Sequence, residues 1–184
     1  MGRLSAQPVA PFEGTLVRLR AREPADAIRH ARWLNDIEVT RWIRVGYPQS
    51  RVGQQRRSNV EPTPSHTRAA LAIETLDGLH IGNCSLSTRD PANREALLGI
   101  LIGEPAYRDG GYGTDAMRLL CRFGFDQMNV ERIELTVYGD NARAIRVYEK
   151  VGFRHEARRR QAHFVDGRYE DVLVMGLIRG ELAS

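Results

Sequence analysis

RDGGYGTDAM, residues 108–117, places three glycines within four positions, after an arginine and before a pattern typical of a helix. Neighbouring glycines let main-chain N–H groups turn inward together, because no Cβ stands in the way. These N–H groups and the positive end of the following helix form an anion site, to which Arg108 adds a charged fork. The stretch predicts a phosphate-binding loop, with an ordinary tight turn as the alternative.

The composition is that of a folded chain. Its 184 residues are 42% hydrophobic and 27% charged, which favours one domain with a buried core. We interpret residues 1–11 as a flexible arm and residues 12–184 as the domain. The chain has no apolar run long enough to span a membrane, and its N-terminus lacks the apolar core of a signal peptide. We therefore expect a cytoplasmic protein with no membrane partner.

Charge and cysteine content narrow the classes of partner. The net charge is +4, and nearly all of the positive charge is arginine. These arginines are scattered and have no aromatic-rich patch beside them, so we expect no nucleic-acid partner. Cys84 and Cys121 lie in apolar stretches and are interpreted as buried thiols of a reducing compartment. No histidine pair has the spacing of metal ligands, so we predict no metal.

Hydrophobic periodicity predicts the order β-α-loop-β-β-β-α-β-α-β-β. Helices are expected over 23–36, from the glycine loop to about 128, and after Asp140 or Asn141, with Gly152 ending the last one. Strands 94–103 and 132–137 flank a helix and should be parallel, whereas the other pairs look antiparallel. The fold class is therefore mixed α/β, with helices packed on the sheet. The predicted strands are 15–20, 68–75, 79–87, 94–103, 132–137, 154–163 and 168–177.

Two phosphate-binding patterns fit the glycine loop. Residues 111–116 match the dinucleotide fingerprint G-x-G-x-x-A, with Asp140 near the end of the next strand as the ribose-binding acid. That pattern would make the chain an NAD(P)-dependent oxidoreductase. The dinucleotide fingerprint normally follows a tight turn and belongs to a fold with several βαβ units. Here a long EPAYR segment precedes the glycine loop. The second pattern is R-x-x-G-x-G, formed by Arg108, Gly111 and Gly113.

The second pattern and its surroundings resemble the GNAT superfamily of acyl-CoA-dependent N-acetyltransferases. The resemblance covers about residues 12–180 and rests on LLGILIGEPAYRDGGYGTDAM (97–117), VYEKVGF (147–153) and DGRYEDVLVMGLI (166–178). It is closest to the branch that contains ribosomal-protein N-terminal acetyltransferases and spermidine acetyltransferases. It implies a single domain with a mostly antiparallel sheet, one parallel pair of strands that splay apart, and helices on both faces.

The resemblance also implies how acetyl-CoA, the cosubstrate, is held. Main-chain groups of Ile100, Leu101 and Ile102 would pair with its pantetheine arm in the gap between the splayed strands. Asn141 and Arg146 would reach the pantetheine and the nucleotide end. The pyrophosphate would lie in the loop made of Arg108, Asp109, Gly110, Gly111, Tyr112, Gly113 and Thr114.

For catalysis, the resemblance makes Tyr148 the general acid that protonates the leaving thiolate, with packing in the core as its alternative role. The glutamates that serve as general base in this branch are replaced here by Leu97 and Thr136. Because strand residues alternate between faces, Glu95 and Glu134 share faces with those positions and are the substitute candidates. Both are also typical of solvated strand glutamates.

The acceptor is expected to be a primary amine of a small molecule or of a peptide N-terminus. The aromatic walls of the acceptor site have four candidates, Trp33, Trp42, Tyr47 and Phe164, and packing is their alternative role. His163 is a candidate for lining the acceptor cleft, and a surface role is its alternative. The positive net charge argues against a polycationic acceptor. The absent glutamates leave open an acyl-CoA-binding sensor or partner-binding module on the same fold, and the last hairpin offers an edge for a homodimer.

Overall fold

The computed structural model describes residues 12–43, 48–50, 52–53 and 65–183, so the predicted arm over residues 1–11 lies outside the described chain. Seven strands form one sheet, in the order β1-β2-β3-β4-β5-β7-β6. The strands are β1 (Val17–Ala21), β2 (Arg68–Thr75), β3 (His80–Asp90), β4 (Glu95–Ile102), β5 (Arg132–Tyr138), β6 (Arg154–Val165) and β7 (Arg168–Ile178). The described helices are α1 (Asp26–Trp33), α2 (Ile37–Thr40), α3 (Tyr112–Asp126) and α4 (Ala142–Val151), with a 3₁₀ turn over Pro105–Tyr107.

The only parallel neighbours among the described strands are β4 and β5, as predicted from the strand–loop–helix–strand order. They pair at three positions only, which join Glu95 to Arg132, Ala96 to Ile133, and Leu97 to Glu134. Beyond Leu97 the two strands part. β4 stays paired with β3 as far as Ile102, and β5 stays paired with β7 as far as Tyr138. The sheet therefore opens in its middle while both of its halves remain intact.

Apolar side chains are buried on both faces of the sheet. In β2, Leu71 and Ile73 belong to the main core cluster, which also contains the apolar face of α3. Ala70 and Ala72 alternate to the opposite face and are buried as well, as are Ala31, Trp33 and Val39 of α1 and α2. The prediction of helices on both faces of a mixed sheet is confirmed. No described helix is long and apolar enough to cross a membrane.

The first helical segment is shorter than the sequence predicts. The expected helix over 23–36 is α1, Asp26–Trp33, followed by the separate helix α2. Two polar side chains cause the break, because short polar groups compete for the backbone at helix ends. Asn35 donates from Nδ2 to the carbonyl oxygen of Ala31, and Asp36 accepts from the N–H of Glu38 to cap α2.

The ends of the other two helices confirm the predicted caps. Asn141 accepts from the N–H of Ala144 at the start of α4, and Gly152 ends that helix at a φ of +114°. Gly111 precedes α3 at a φ of +88°. The glycine loop is shorter than the predicted range of 108–114, because Gly113 and Thr114 already belong to the first turn of α3.

Gly103, directly after β4, allows Trp33 of α1 to pack against the backbone. A Cβ at this position would overlap the indole ring, which is 1% exposed. We expect Gly103→Ala to lower the free energy of unfolding by about 1–3 kcal/mol, because a fully buried ring must move. Urea unfolding measures this loss.

Gly139→Ala is the matched control for this substitution. A Cβ at Gly139 would meet its nearest neighbour, the carbonyl oxygen of Asp171, at 3.6 Å, which is an ordinary contact. The control should therefore unfold close to the unmodified protein. Equal unfolding midpoints for the two variants would mean that the packing of Trp33 does not depend on the glycine.

Candidate functional site

Two cavities meet where β4 and β5 part. The first has a volume of about 260 Å³ and the second about 400 Å³. Each is of the size that holds part or all of a small ligand. They share a common wall, which joins residues of the loop after α2, the parted end of β4 and the start of α4: Trp42, Ile43, Ile100, Leu101, Asn141 and Tyr148.

The first cavity gathers most of the residues expected to hold the cosubstrate. Two of them, Gly110 and Tyr112, are absent from its wall; the Tyr112 ring meets the ring of Tyr107 edge-on, with centroids 5.0 Å apart. Sequence reasoning missed other wall residues, among them Glu38, Arg143 and Lys150. The expected residues that do line this cavity are Ile100, Leu101, Ile102, Arg108, Asp109, Gly111, Gly113, Thr114, Asn141 and Arg146.

The glycine loop is held by its own charged side chains. Arg108 folds back so that its Nη2 donates to the carbonyl oxygen of Gly103, at 3.0 Å. Asp109 has a φ of +66° and Gly111 a φ of +88°, so the chain turns through two left-handed positions before α3. Such a turn directs main-chain N–H groups into a concave anion site. Asp109 also pairs with Arg143 of α4, at 3.0 Å between Oδ2 and Nη1.

The wall of the first cavity is more cationic than anionic. Its acidic side chains are Glu38 and Asp109, whereas four side chains carry positive charge. Guanidinium groups favour phosphate oxygens because they donate two parallel hydrogen bonds. The cavity therefore suits a ligand with several phosphate groups. Its four cationic side chains are Arg108, Arg143, Arg146 and Lys150.

Tyr148 lies on the wall that both cavities share. Its ring packs against the main core and stands 6.1 Å from the ring of Phe153, so the packing role expected as an alternative is present as well. Burial raises the pKa of Tyr148 to about 12, which keeps the phenol protonated near neutral pH. The side chain can therefore donate a proton or a hydrogen bond to groups in either cavity.

The two candidate bases are placed elsewhere. Glu95 and Glu134 lie at the paired ends of β4 and β5, and neither lines either cavity. Arg89 pairs with Glu134 at 2.5 Å and approaches Glu95 at 3.8 Å, while Arg132 lies 3.6 Å from Glu95. The structure does not bring these two carboxylates together with Tyr148, so their assignment as bases stays a prediction.

The second cavity lies on the other side of the shared wall. Of the predicted aromatic residues, Trp42 lines it, Trp33 and Phe164 do not, and Tyr47 falls outside the described residues. His163 is also absent from its wall and stacks on Tyr138, with centroids 4.0 Å apart. Sequence reasoning missed several polar wall residues, because the packing of distant segments and not a local pattern places them there: Arg22, His30, Asn83, Ser85, Thr136 and Arg159.

A buried polar chain supports the second cavity from behind. Arg20 donates to both carboxylate oxygens of Asp26, and His80 lies next to Asp26 and bonds the Asn83 amide through Nε2, at 3.1 Å. Burial alone would raise the pKa of Asp26, but the bonds from Arg20 and the Glu23 N–H lower it below its usual value. Burial lowers the pKa of His80, so its ring is neutral near pH 7.

The two thiols of the described chain are buried, although Cys84 contributes to the wall of the second cavity. Cys84 and Cys121 are buried free thiols, as predicted, and burial raises the pKa of Cys84 to about 12. Within the described residues, no group of three or more His, Cys, Asp or Glu side chains is arranged to hold a metal ion. The chemistry of the site therefore rests on the glycine loop, the parted strands and Tyr148.

Comparison with known proteins identifies this arrangement. A family model described as "Acetyltransferase (GNAT) domain" matches residues 17–154. The chain is 26% identical to an "Uncharacterized N-acetyltransferase p20" of Bacillus licheniformis over 90% of this chain and 94% of the relative. It is 25% identical to the "Putative ribosomal N-acetyltransferase YdaF" of Bacillus subtilis (strain 168), over 90% of this chain and 92% of that protein.

Solved structures share the fold. The spermidine N-acetyltransferase from Vibrio cholerae, crystallised in complex with CoA and spermine, superposes with a TM-score of 0.79. The alignment covers 90% of this chain and 96% of that one, at 23% sequence identity. The sheet with one parallel pair differs from the doubly wound parallel sheet of dinucleotide-binding proteins, so the fingerprint at residues 111–116 does not reflect that fold.

The buried His80 makes stability depend on pH. Its pKa is lowered in the folded chain, so the unfolded chain takes up a proton first as the pH falls below about 6.5. We expect the free energy of unfolding to fall between about pH 6.5 and 5, by at most about 1.4 kcal/mol per pH unit. His80→Gln should remove this slope in urea unfolding measured across that range.

A slope that survives unchanged in His80→Gln would contradict the role given to the buried ring.

Proposed function

We propose, from the premise that this chain belongs to the GNAT acetyltransferase family, that its first cavity binds acetyl-CoA and its second binds the acceptor amine. Enzymes of this family are N-acetyltransferases that depend on acetyl-CoA. The observation that carries the proposal is the wall shared by the two cavities, where the parted strands and Tyr148 meet. A donor and an acceptor bound on either side of that wall would have their reacting groups close together.

The parted strand supports the proposed position of the cosubstrate. β4 has no strand partner on the side of β5 beyond Leu97, so its main-chain groups at Ile100–Ile102 can pair with the amides of a pantetheine arm. The loop over residues 108–111 and the start of α3 would hold the pyrophosphate, and Asn141 and Arg146 would contact the rest of the donor. The four cationic side chains of the first cavity suit the phosphates.

The proposed chemistry assigns one task to each element of the shared wall. Acetyl-CoA supplies an acetyl group activated as a thioester. A main-chain N–H near Leu101 is the candidate donor to an oxygen that gains negative charge during transfer. The C–N bond forms as the C–S bond breaks. Tyr148, which stays protonated because burial raises its pKa to about 12, is the candidate proton donor to the leaving sulfur, and the proton that the amine nitrogen loses restores the phenol.

The acceptor in this proposal is a primary amine, either on a small molecule or at a peptide N-terminus. The names of related proteins cover both kinds, since one is called ribosomal and another acts on spermidine. The proposal gives no proton-accepting role to Glu95 or Glu134. Arg89 and Arg132 compensate their charges at the paired end of the strands, away from both cavities.

Removal of the Tyr148 hydroxyl should separate catalysis from binding. We expect Tyr148→Phe to lower kcat by about 10²–10⁴-fold, because the proton donor is lost while the ring still packs. The Kd for acetyl-CoA should change little. Release of free thiol measures turnover against amines and peptides, and calorimetry measures binding.

Tyr169→Phe serves as the control, since Tyr169 is exposed and lines neither cavity. It should leave both kcat and Kd unchanged. A Tyr148→Phe variant that loses acetyl-CoA binding and turnover together would make Tyr148 a packing residue. Acetyl-CoA binding by the unmodified protein without turnover on any amine would instead favour the sensor.

Gly113 tests the position of the donor. A Cβ here would lie 3.7 Å from the Ile102 side chain, an ordinary contact, but the residue lines the first cavity. We expect Gly113→Val to abolish detectable acetyl-CoA binding in a thermal-shift titration, because the side chain fills the anion site. Its own unfolding temperature without ligand should stay within a few degrees of the unmodified protein. Normal acetyl-CoA binding by a folded Gly113→Val would contradict the assigned site.

A further inference from the structure

The second cavity has a one-sided charge. Two guanidinium groups, Arg22 after β1 and Arg159 of β6, belong to its wall. None of the Asp or Glu side chains in the described ranges lines it, in contrast to the first cavity, which has Glu38 and Asp109. A polyamine acceptor would bring further ammonium groups next to these arginines, with no carboxylate from the described wall to offset the repulsion.

Arg159 has no ion pair or hydrogen bond within the described residues, unlike other arginines of the same hairpin. Arg158 bonds Asp171 through Nε at 2.5 Å, and Arg168 bonds Glu170 at 2.7 Å. Arg159 lies opposite Val172 in the sheet register, and both line the cavity. Its guanidinium is therefore available to a ligand.

We propose that the second cavity selects amines that also carry a carboxylate, with Arg159 as the group that recognises it. This inference rests on the proposed function, because it names the acceptor class of that same site. The carboxylate would belong either to a free amino acid or to an acidic residue near a peptide N-terminus. Both sources present the same chemistry to the wall, and both leave the amine to face the shared wall and Tyr148.

The test compares acceptors that differ in one end group. A series of linear amines with two to five methylene groups ends in a carboxylate, a neutral carboxamide or a second amine. Two short peptides with Glu or Gln as the second residue form a separate arm. Turnover is measured as kcat/KM, and binding of each acceptor to the protein saturated with CoA is measured by calorimetry. Carboxylate acceptors should exceed both their carboxamide and their diamine counterparts by at least about tenfold.

Arg159→Gln should reduce this preference by about tenfold or more, through KM and not through the Kd for acetyl-CoA. Arg158→Gln is the matched control, because Arg158 is adjacent on β6, pairs with Asp171 and lines neither cavity. It should keep the full preference.

The outcomes distinguish this inference from the proposed function. Turnover that is equal for carboxylates and diamines, or unchanged by Arg159→Gln, would overturn the inference and leave the transferase intact. Preferential binding of carboxylate amines without any turnover would support the inference and overturn the proposed function. A protein that neither binds nor acetylates any member of the series or either peptide would contradict both. A preference confined to the linear series would identify a free amino acid as the acceptor. A preference confined to the Glu peptide would identify a peptide N-terminus as the acceptor.

Discussion

The parting of β4 and β5 after Leu97 and Glu134 is the constraint on which the remaining architecture depends. Three paired positions hold the strands together at one end, where Ala96 and Ile133 are fully buried in the core. Beyond them each strand keeps its outer neighbour, so the sheet opens without losing the pairing of either half. The opening leaves part of a central strand without a strand partner among the described residues, so its main-chain groups can bond a ligand.

The charges around the paired end hold it in register. Arg132 pairs with Glu156 of β6 and lies near Glu95, while Arg89 of β3 bonds Glu134. The pKa of Glu156 lies below its usual value, mainly because Arg132 donates to it. These contacts connect strands on both sides of the opening. The carboxylates of the paired end therefore take part in ion pairs, whereas both cavities lie at the open end.

At the open end, the two cavities on either side of the gap differ in their lining residues and charges. The first cavity has the glycine loop, the start of α3 and four cationic side chains. The second has the polar and cationic wall that extends from β3 to β6, supported by the buried Asp26–His80–Asn83 chain. Tyr148 lies between the two cavities, and its phenol stays protonated because burial raises its pKa to about 12. This division provides separate places for two ligands on either side of Tyr148.

The sequence predicts the local features of this design well. The glycine loop, the Asn141 cap, the left-handed Gly152 and the hairpin turn at Asp166 and Gly167 all depend on neighbouring residues, and the structure has each of them. What could not be predicted depends on residues far apart in the chain. The charge pairing of Glu134 requires Arg89 from another strand.

The second cavity also depends on contacts between residues that are far apart in the chain. Arg159 reaches the second cavity only through the register of the sheet, so no spacing in the sequence reveals the role proposed for it. The break between α1 and α2 was missed for a different reason. Two polar side chains, Asn35 and Asp36, bond the backbone there, within a pattern that otherwise favours one helix.

The most direct test of the account is residue-resolved amide hydrogen exchange, measured by NMR with and without acetyl-CoA. If the parted strand and the glycine loop hold the donor, protection should rise at the main-chain amides of Ile100–Ile102 and of Asp109–Thr114. Amides of β1 and β2, outside the opening, should keep their exchange rates. Acetyl-CoA binding that leaves the amides of Ile100–Ile102 and the loop unprotected would contradict the central role of the strand opening.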